Sequence, residues 1–124
     1  MDSEKIKGTN SNFQKGLYMA TVELILLSVV RQAGKPIYGY QIAKIIEKDN
    51  GQIPIIKLGT LYPILRALEK DGWLESHVDP SVTGPPRRYY RITEPGRNTL
   101  AQLKEIWGRT KVFVDDILTG EKHD

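Results

Sequence analysis

Between residues 62 and 96 the chain reads YPILRALEKDGWLESHVDPSVTGPPRRYYRITEPG, and its hydrophobic period changes twice. Leu61, Leu65 and Leu68, with Ile64 alongside, form a helical stripe that Gly72 stops. Trp73 to Val78 then alternates as a strand does, with Leu74 and Val78 on one side. Residues 79–86 are a loop stiffened by Pro80, Pro85 and Pro86. Residues 87–93 alternate again, with Arg88, Tyr90 and Ile92 on one side and Arg87, Tyr89 and Arg91 on the other. Thr93-Glu94-Pro95 opens a new helix: Thr93 is a good N-cap, Glu94 suits the positive helix end, and proline is tolerated in the first turn. A chain patterned this way places a two-stranded hairpin between two helices.

The flanking sequence supplies more helices. Residues 16–32 carry Tyr18, Val22, Ile25 and Val29 at helical spacing. Leu17, Leu24 and Leu27 widen that stripe, so this helix should touch apolar neighbours on more than one side. Gly34 and Pro36 end it. A second helix is expected from about residue 38 or 39 to 49, with Ile42, Ile45 and Ile46 inward, and Asn50-Gly51 is a strong stop. Residues 52–58, QIPIIKL, read as short and extended, and a third helix follows from Gly59-Thr60. Pro63 is acceptable near that helix start, where amide hydrogens lack partners. After Thr93, Leu100, Leu103, Trp107, Thr110, Val114 and Ile117 are spaced as a heptad seam, flanked by Ile106, Phe113 and Leu118, and Gly120 ends the helix.

The expected fold is therefore mainly α with a small β hairpin: a winged helix-turn-helix followed by a C-terminal dimerisation helix. Residues 1–12 are read as a flexible segment, 13–93 as the DNA-binding domain, 94–120 as the dimerisation helix and 121–124 as a tail. At 124 residues one small domain is expected, and pairing with a second copy would help bury its surface.

Composition narrows the function. The chain has no cysteine, and its two histidines, His77 and His123, lie far apart in sequence, so no disulfide framework and no metal site are expected. No phosphate-binding glycine loop or nucleophile motif is present, so an enzyme is not expected and no cofactor is called for. The longest apolar run, 24–30 with Ser28 inside it, is too short to cross a bilayer. The N-terminal sequence lacks the apolar core of a signal peptide, and a cytoplasmic protein is expected, without a membrane partner. Net charge is only +3, yet residues 84–97 carry four arginines against the single acid Glu94. Basic charge gathered in the hairpin is what contact with a polyanion needs; its bland reading is a solubilising surface.

Residues 57–96, KLGTLYPILRALEKDGWLES followed by GPPRRYYRITEPG, together with the upstream YGYQIAKII, resemble the PadR family of bacterial transcriptional regulators. The resemblance covers about residues 17–97. The single terminal helix resembles the short-chain branch, which includes phenolic-acid and multidrug-responsive repressors. The loop DPSVTGPP is proline-heavy, which departs from a simple glycine-rich wing. The resemblance implies a homodimer built on the first and last helices, bound to inverted-repeat double-stranded DNA, usually as a repressor.

In that frame residues 62–70 are most of a recognition helix and 85–91 the wing. Thr60, Tyr62, Pro63, Arg66 and Lys70 are the expected DNA-contacting residues of the helix, with Arg66 set to meet a guanine edge or a phosphate. Tyr62 either touches DNA or caps the core. Arg87, Arg88 and Tyr89 are the expected wing contacts, and Tyr90 is read as hairpin packing. Tyr38, Gln41 and Lys44 are expected at the DNA backbone, from the start of the second helix. Leu17, Val22, Leu100, Leu103, Trp107, Thr110, Val114 and Ile117 are the expected dimer contacts. Trp107 and Phe113 are the candidate effector-binding residues, for a small planar aromatic ligand between two copies. A winged helix used for protein–protein contact, without sequence-specific DNA binding, is the competing reading.

Overall fold

The structure, a computed structural model, describes residues 3–50, 58–80 and 83–120. Helix α1 (Ser3–Ala33) is followed by a short strand β1 (Ile37–Tyr38), then by helices α2 (Gly39–Asn50) and α3 (Leu58–Lys70). Strands β2 (Leu74–Asp79) and β3 (Arg87–Ile92) form the hairpin, and helix α4 (Glu94–Thr119) closes the chain. The extended reading of 52–57, part of the wing loop (81–82) and the tail 121–124 lie outside the described residues.

Two elements differ from expectation. Helix α1 begins at Ser3, within the segment read as flexible, instead of at residue 16. Residues 3–15 are polar and carry no apolar stripe, so hydrophobic periodicity does not reveal them, although helix formation does not require that stripe. The sheet also has three strands, in the order β1-β3-β2. The two residues of β1 pair antiparallel with β3, Ile37 opposite Tyr90 and Tyr38 opposite Tyr89. Two residues are too few to show alternation in sequence.

One core lies between the helices and the inner sheet face. It joins Val22, Leu26, Leu27 and Val30 of α1 to Ile42 and Ile46 of α2 and to Leu61, Leu65 and Leu68 of α3. The sheet adds Ile37, Leu74, Tyr90 and Ile92, and α4 adds Leu100. Ile45 is not an inner residue: it is exposed and faces a groove beside Leu24 and Val29 of α1. A 22-residue stretch of α1, Asn12–Ala33, is long and apolar enough to cross a membrane by length and composition. That length is reached across interrupting polar residues; the uninterrupted apolar run 24–30 is itself too short. The four buried residues of this stretch, Val22, Leu26, Leu27 and Val30, lie in the core, which accounts for that part of its apolarity.

The end of α3 is a Schellman turn. Gly72 takes the left-handed conformation (φ 84°), its N–H donates to Glu69 O at 2.9 Å, and Trp73 N–H donates to Leu68 O at 3.0 Å. Thr93 ties this turn to α4. Its hydroxyl donates to Gly72 O at 2.6 Å and accepts from Gly96 N–H at 3.0 Å. Its own N–H donates to Trp73 O at 3.1 Å. Gly96 packs so closely that a Cβ there would stand 2.0 Å from the Trp73 carbonyl oxygen. Alanine normally helps a helix interior, so the sign of one substitution tests the junction. Gly96→Ala is expected to cost about 3 kcal/mol, because the obstructing atom is backbone. Thr93→Ala should cost about 1 kcal/mol through the lost cap. Urea denaturation reads both, and a Gly96→Ala protein as stable as the parent would refute the close approach.

Candidate nucleic-acid interface

Helix α3 is amphipathic in the sense a recognition helix needs. Leu61, Leu65 and Leu68 are buried, while Thr60, Tyr62, Pro63, Arg66, Ala67 and Lys70 are exposed. Pro63 is the sixth residue of α3, further in than expected. It removes the hydrogen bond to the carbonyl of Gly59, which lies on the exposed first turn.

The exposed face of α3 meets the wing across an open cleft of about 450 Å³. Tyr62 and Arg66 line it from α3, Arg87 and Arg88 from β3, Tyr38 from β1 and Tyr40 from the start of α2. Tyr90 lines it as well, almost fully buried. Three guanidinium-bearing side chains thus converge on one concave surface. Burial pushes the Tyr90 phenol above its ordinary value, with Glu69 adding to the rise, while Arg88 and Arg66 pull it down. The cleft is therefore lined by a neutral phenol beside two cations.

Tyr62 packs on the backbone at the start of α2. It is 40% exposed, and its ring lies over Gly39, where a Cβ would stand 2.6 Å from the ring edge. Glycine at the start of α2 therefore lets the ring settle against the backbone while its other face remains open to the cleft.

The wing arginines are held separately because adjacent strand residues point to opposite faces. Arg87 lies over the Tyr38 ring at 4.6 Å, a cation–π contact. Tyr38 meets Tyr89 edge-on at 5.4 Å, and Tyr89 stacks on His77 at 5.6 Å. These aromatics form one cross-strand row, since Tyr89 pairs with both Tyr38 and His77. Arg88, on the inner face, donates from Nη1 to Ser76 Oγ at 2.9 Å.

Other expected contacts fall elsewhere. Tyr89 lies on the outer sheet face, half-buried between Tyr38 and His77, and does not line the cleft, whereas Tyr90 does. Gln41 accepts the Tyr38 N–H through Oε1 at 3.1 Å, so its carbonyl serves the start of α2. Lys44 is exposed, 3.8 Å from Glu47 and 5.4 Å from the Tyr40 ring centre. Lys70 and Thr60 are exposed on α3 outside the cleft lining. Tyr40 lines the cleft and was not anticipated; the YGY pattern around Gly39 was the available signal.

The expected dimer residues also divide. Val22 (6% exposed) and Leu100 (2%) belong to the protomer's own core. Leu103 is half-buried against that core. Leu17, Trp107, Thr110, Val114 and Ile117 are exposed, as is Phe113. The heptad line runs unbroken along α4, but the domain covers only its first turns. The exposed members of the seam all lie beyond Leu103.

Residues 26–102 match the family described as transcriptional regulator PadR-like. The chain is similar in structure to a PadR family transcriptional regulator of Eggerthella lenta, with TM-score 0.82 and 31% identity, covering 94% of this chain and 97% of that one. An uncharacterized protein of Lysinibacillus sphaericus is 31% identical over 99 residues, 80% of this chain and 89% of its own. A transcriptional regulator of Mycobacterium tuberculosis is 42% identical over 65 residues, 52% of this chain and 57% of its own. With this winged helix, the cleft of arginines beside α3 and a family match over more than half its length, the chain belongs to the PadR-like family of DNA-binding transcriptional regulators.

Proposed function

We propose that the protein is a cytoplasmic, homodimeric repressor that binds an inverted-repeat operator and is released by a small planar ligand. The observation that carries the DNA contact is the convergence of Arg66, Arg87 and Arg88 on the cleft between α3 and the wing. In this reading α3 enters the major groove, Arg66 meets a guanine edge, and the wing arginines neutralise phosphates. The dimer reading is supported by the exposed apolar residues of α1 and α4. Phe13, Leu17 and Met19 stand out on one helix, and Trp107, Phe113, Val114 and Ile117 on the other. A two-fold pair would set its recognition helices about 34 Å apart, on successive major grooves, hence the inverted repeat. Trp107, half-exposed on α4, would present a flat aromatic wall to a planar ligand held between the copies.

Selection of bound fragments from random DNA is expected to return a near-palindrome. Affinity should fall steeply with salt, because phosphate contacts release counterions. A folded protein whose DNA affinity ignores salt would instead favour a winged helix used for protein contact. Arg66→Ala should cost about 1–3 kcal/mol of binding and relax preference at one position in each half-site. An equal loss on every sequence would assign Arg66 to the backbone. Trp107→Ala should shift the monomer–dimer equilibrium towards monomer in sedimentation equilibrium, and an unchanged equilibrium would remove Trp107 from the interface.

A further inference from the structure

Ser76 stands in the middle of β2, half-buried on the inner side of the hairpin. Its Oγ donates to Glu69 Oε2 of α3 at 2.6 Å and accepts from Arg88 Nη1 of β3 at 2.9 Å. One hydroxyl thus connects the recognition helix to the wing. The register makes the connection deliberate in geometry: Ser76 pairs with Tyr90, and Arg88 pairs with Val78. Arg88 therefore leans back along the strand by two residues to reach Ser76. That lean brings its guanidinium over the hairpin's inner face and into the cleft with Arg66.

The serine also solves an electrostatic problem. A direct Glu69–Arg88 ion pair would neutralise the arginine and occupy its fork. No such pair occurs among the described residues. The hydroxyl gives its one hydrogen to the carboxylate and a lone pair to the guanidinium. Among the described residues one N–H of Arg88 is used, which leaves the rest of its donor fork for an anion.

We infer that Ser76, itself fixed by Glu69, is a positioning residue that holds the Arg88 guanidinium in the cleft to meet a DNA phosphate. The inference rests on the DNA-binding reading above. An arginine on an exposed wing otherwise loses its rotamer freedom at the moment of binding. Glu69 orients Ser76, Ser76 orients Arg88, and only Arg88 touches the nucleic acid.

The test uses the full chain and a mixed-sequence DNA duplex, with affinity read by fluorescence anisotropy at two salt concentrations. Ser76→Ala is expected to weaken binding about five-fold, the scale of one long side chain left unordered. Ser76→Thr, which keeps the hydroxyl, should restore the parent affinity. In an Arg88→Ala background, Ser76→Ala should add nothing. Urea denaturation confirms that each variant is folded. Parent-like affinity in Ser76→Ala overturns the proposal, and tighter binding does so too, by making the contact a latch that withholds Arg88. An undiminished loss in the Arg88→Ala background would reduce Ser76 to a structural residue. Failure of the parent protein itself to bind the duplex in a salt-dependent way would overturn the DNA-binding reading, and this proposal with it.

Discussion

The angle between α3 and α4 depends on a contact with no room for a side chain. Gly96 lies against the carbonyl of Trp73, and Thr93 hydrogen-bonds Gly72, Trp73 and Gly96 in the same few ångströms. Four segments meet there: the end of α3, the start of β2, the end of β3 and the start of α4. The Schellman turn fixes how β2 leaves α3, and the β2–β3 register fixes where β3 returns. The Thr93 cap then fixes how α4 departs. A hydrogen bond of this kind contributes about 1 kcal/mol, which is modest singly. Their value is geometric, because several bonds and one close packing contact must break together before α4 can change direction.

That rigidity gives meaning to the cleft. Adjacent arginines on a strand face opposite ways, so a wing that is to use both must hold each by a different device. The outer face uses an aromatic row across three strands, with Arg87 resting on Tyr38. The inner face uses a hydroxyl between α3 and the wing, with Arg88 held by Ser76. An arginine side chain carries about 2 kcal/mol of rotamer entropy, part of which a contact made before binding removes in advance. By contrast Arg91, three residues further along and on the outer face, is paired with Glu75 and does not line the cleft. Arg88 is held by a neutral hydroxyl on its diagonal neighbour, and Arg91 by the carboxylate directly opposite it.

Much of this was legible in the residues, for identifiable reasons. Helices α2, α3 and α4 and the hairpin announce themselves because Gly72, Thr93, Pro95 and Gly120 punctuate strong periods. What periodicity cannot give is polarity and extent. It says that Tyr89 and Tyr90 face opposite ways, and only the burial of Leu74 and Ile92 decides that Tyr90 goes inward. It draws one seam from Leu100 to Ile117, and only the size of the domain decides that Leu100 is core while Ile117 stays 65% exposed. It is silent on β1, whose two residues matter because they bring Tyr38 beside Tyr89. Ser76 could not be singled out at all, since its role exists only where three elements meet.

The far end of α4 bears on how the proposed regulator would respond. Phe113, Ile117 and Leu118 are among its most exposed large residues, on a helix that the domain covers only near its start. Burial of such surface returns roughly 25 cal/mol for each Å² covered, so a second copy bearing the same face is a favourable cover. In that pair the two α4 helices set the separation of the two domains, and the Thr93 junction passes that separation to α3 without slack. In the proposed regulator, a planar ligand beside Trp107 would release DNA only by favouring a helix spacing that the operator does not. Its effect is bounded by the difference in its affinity for the two spacings, however tightly it binds. Were the protein switched in the proposed way, a stiff junction would carry a small shift between the α4 helices to α3, where a flexible link would absorb it.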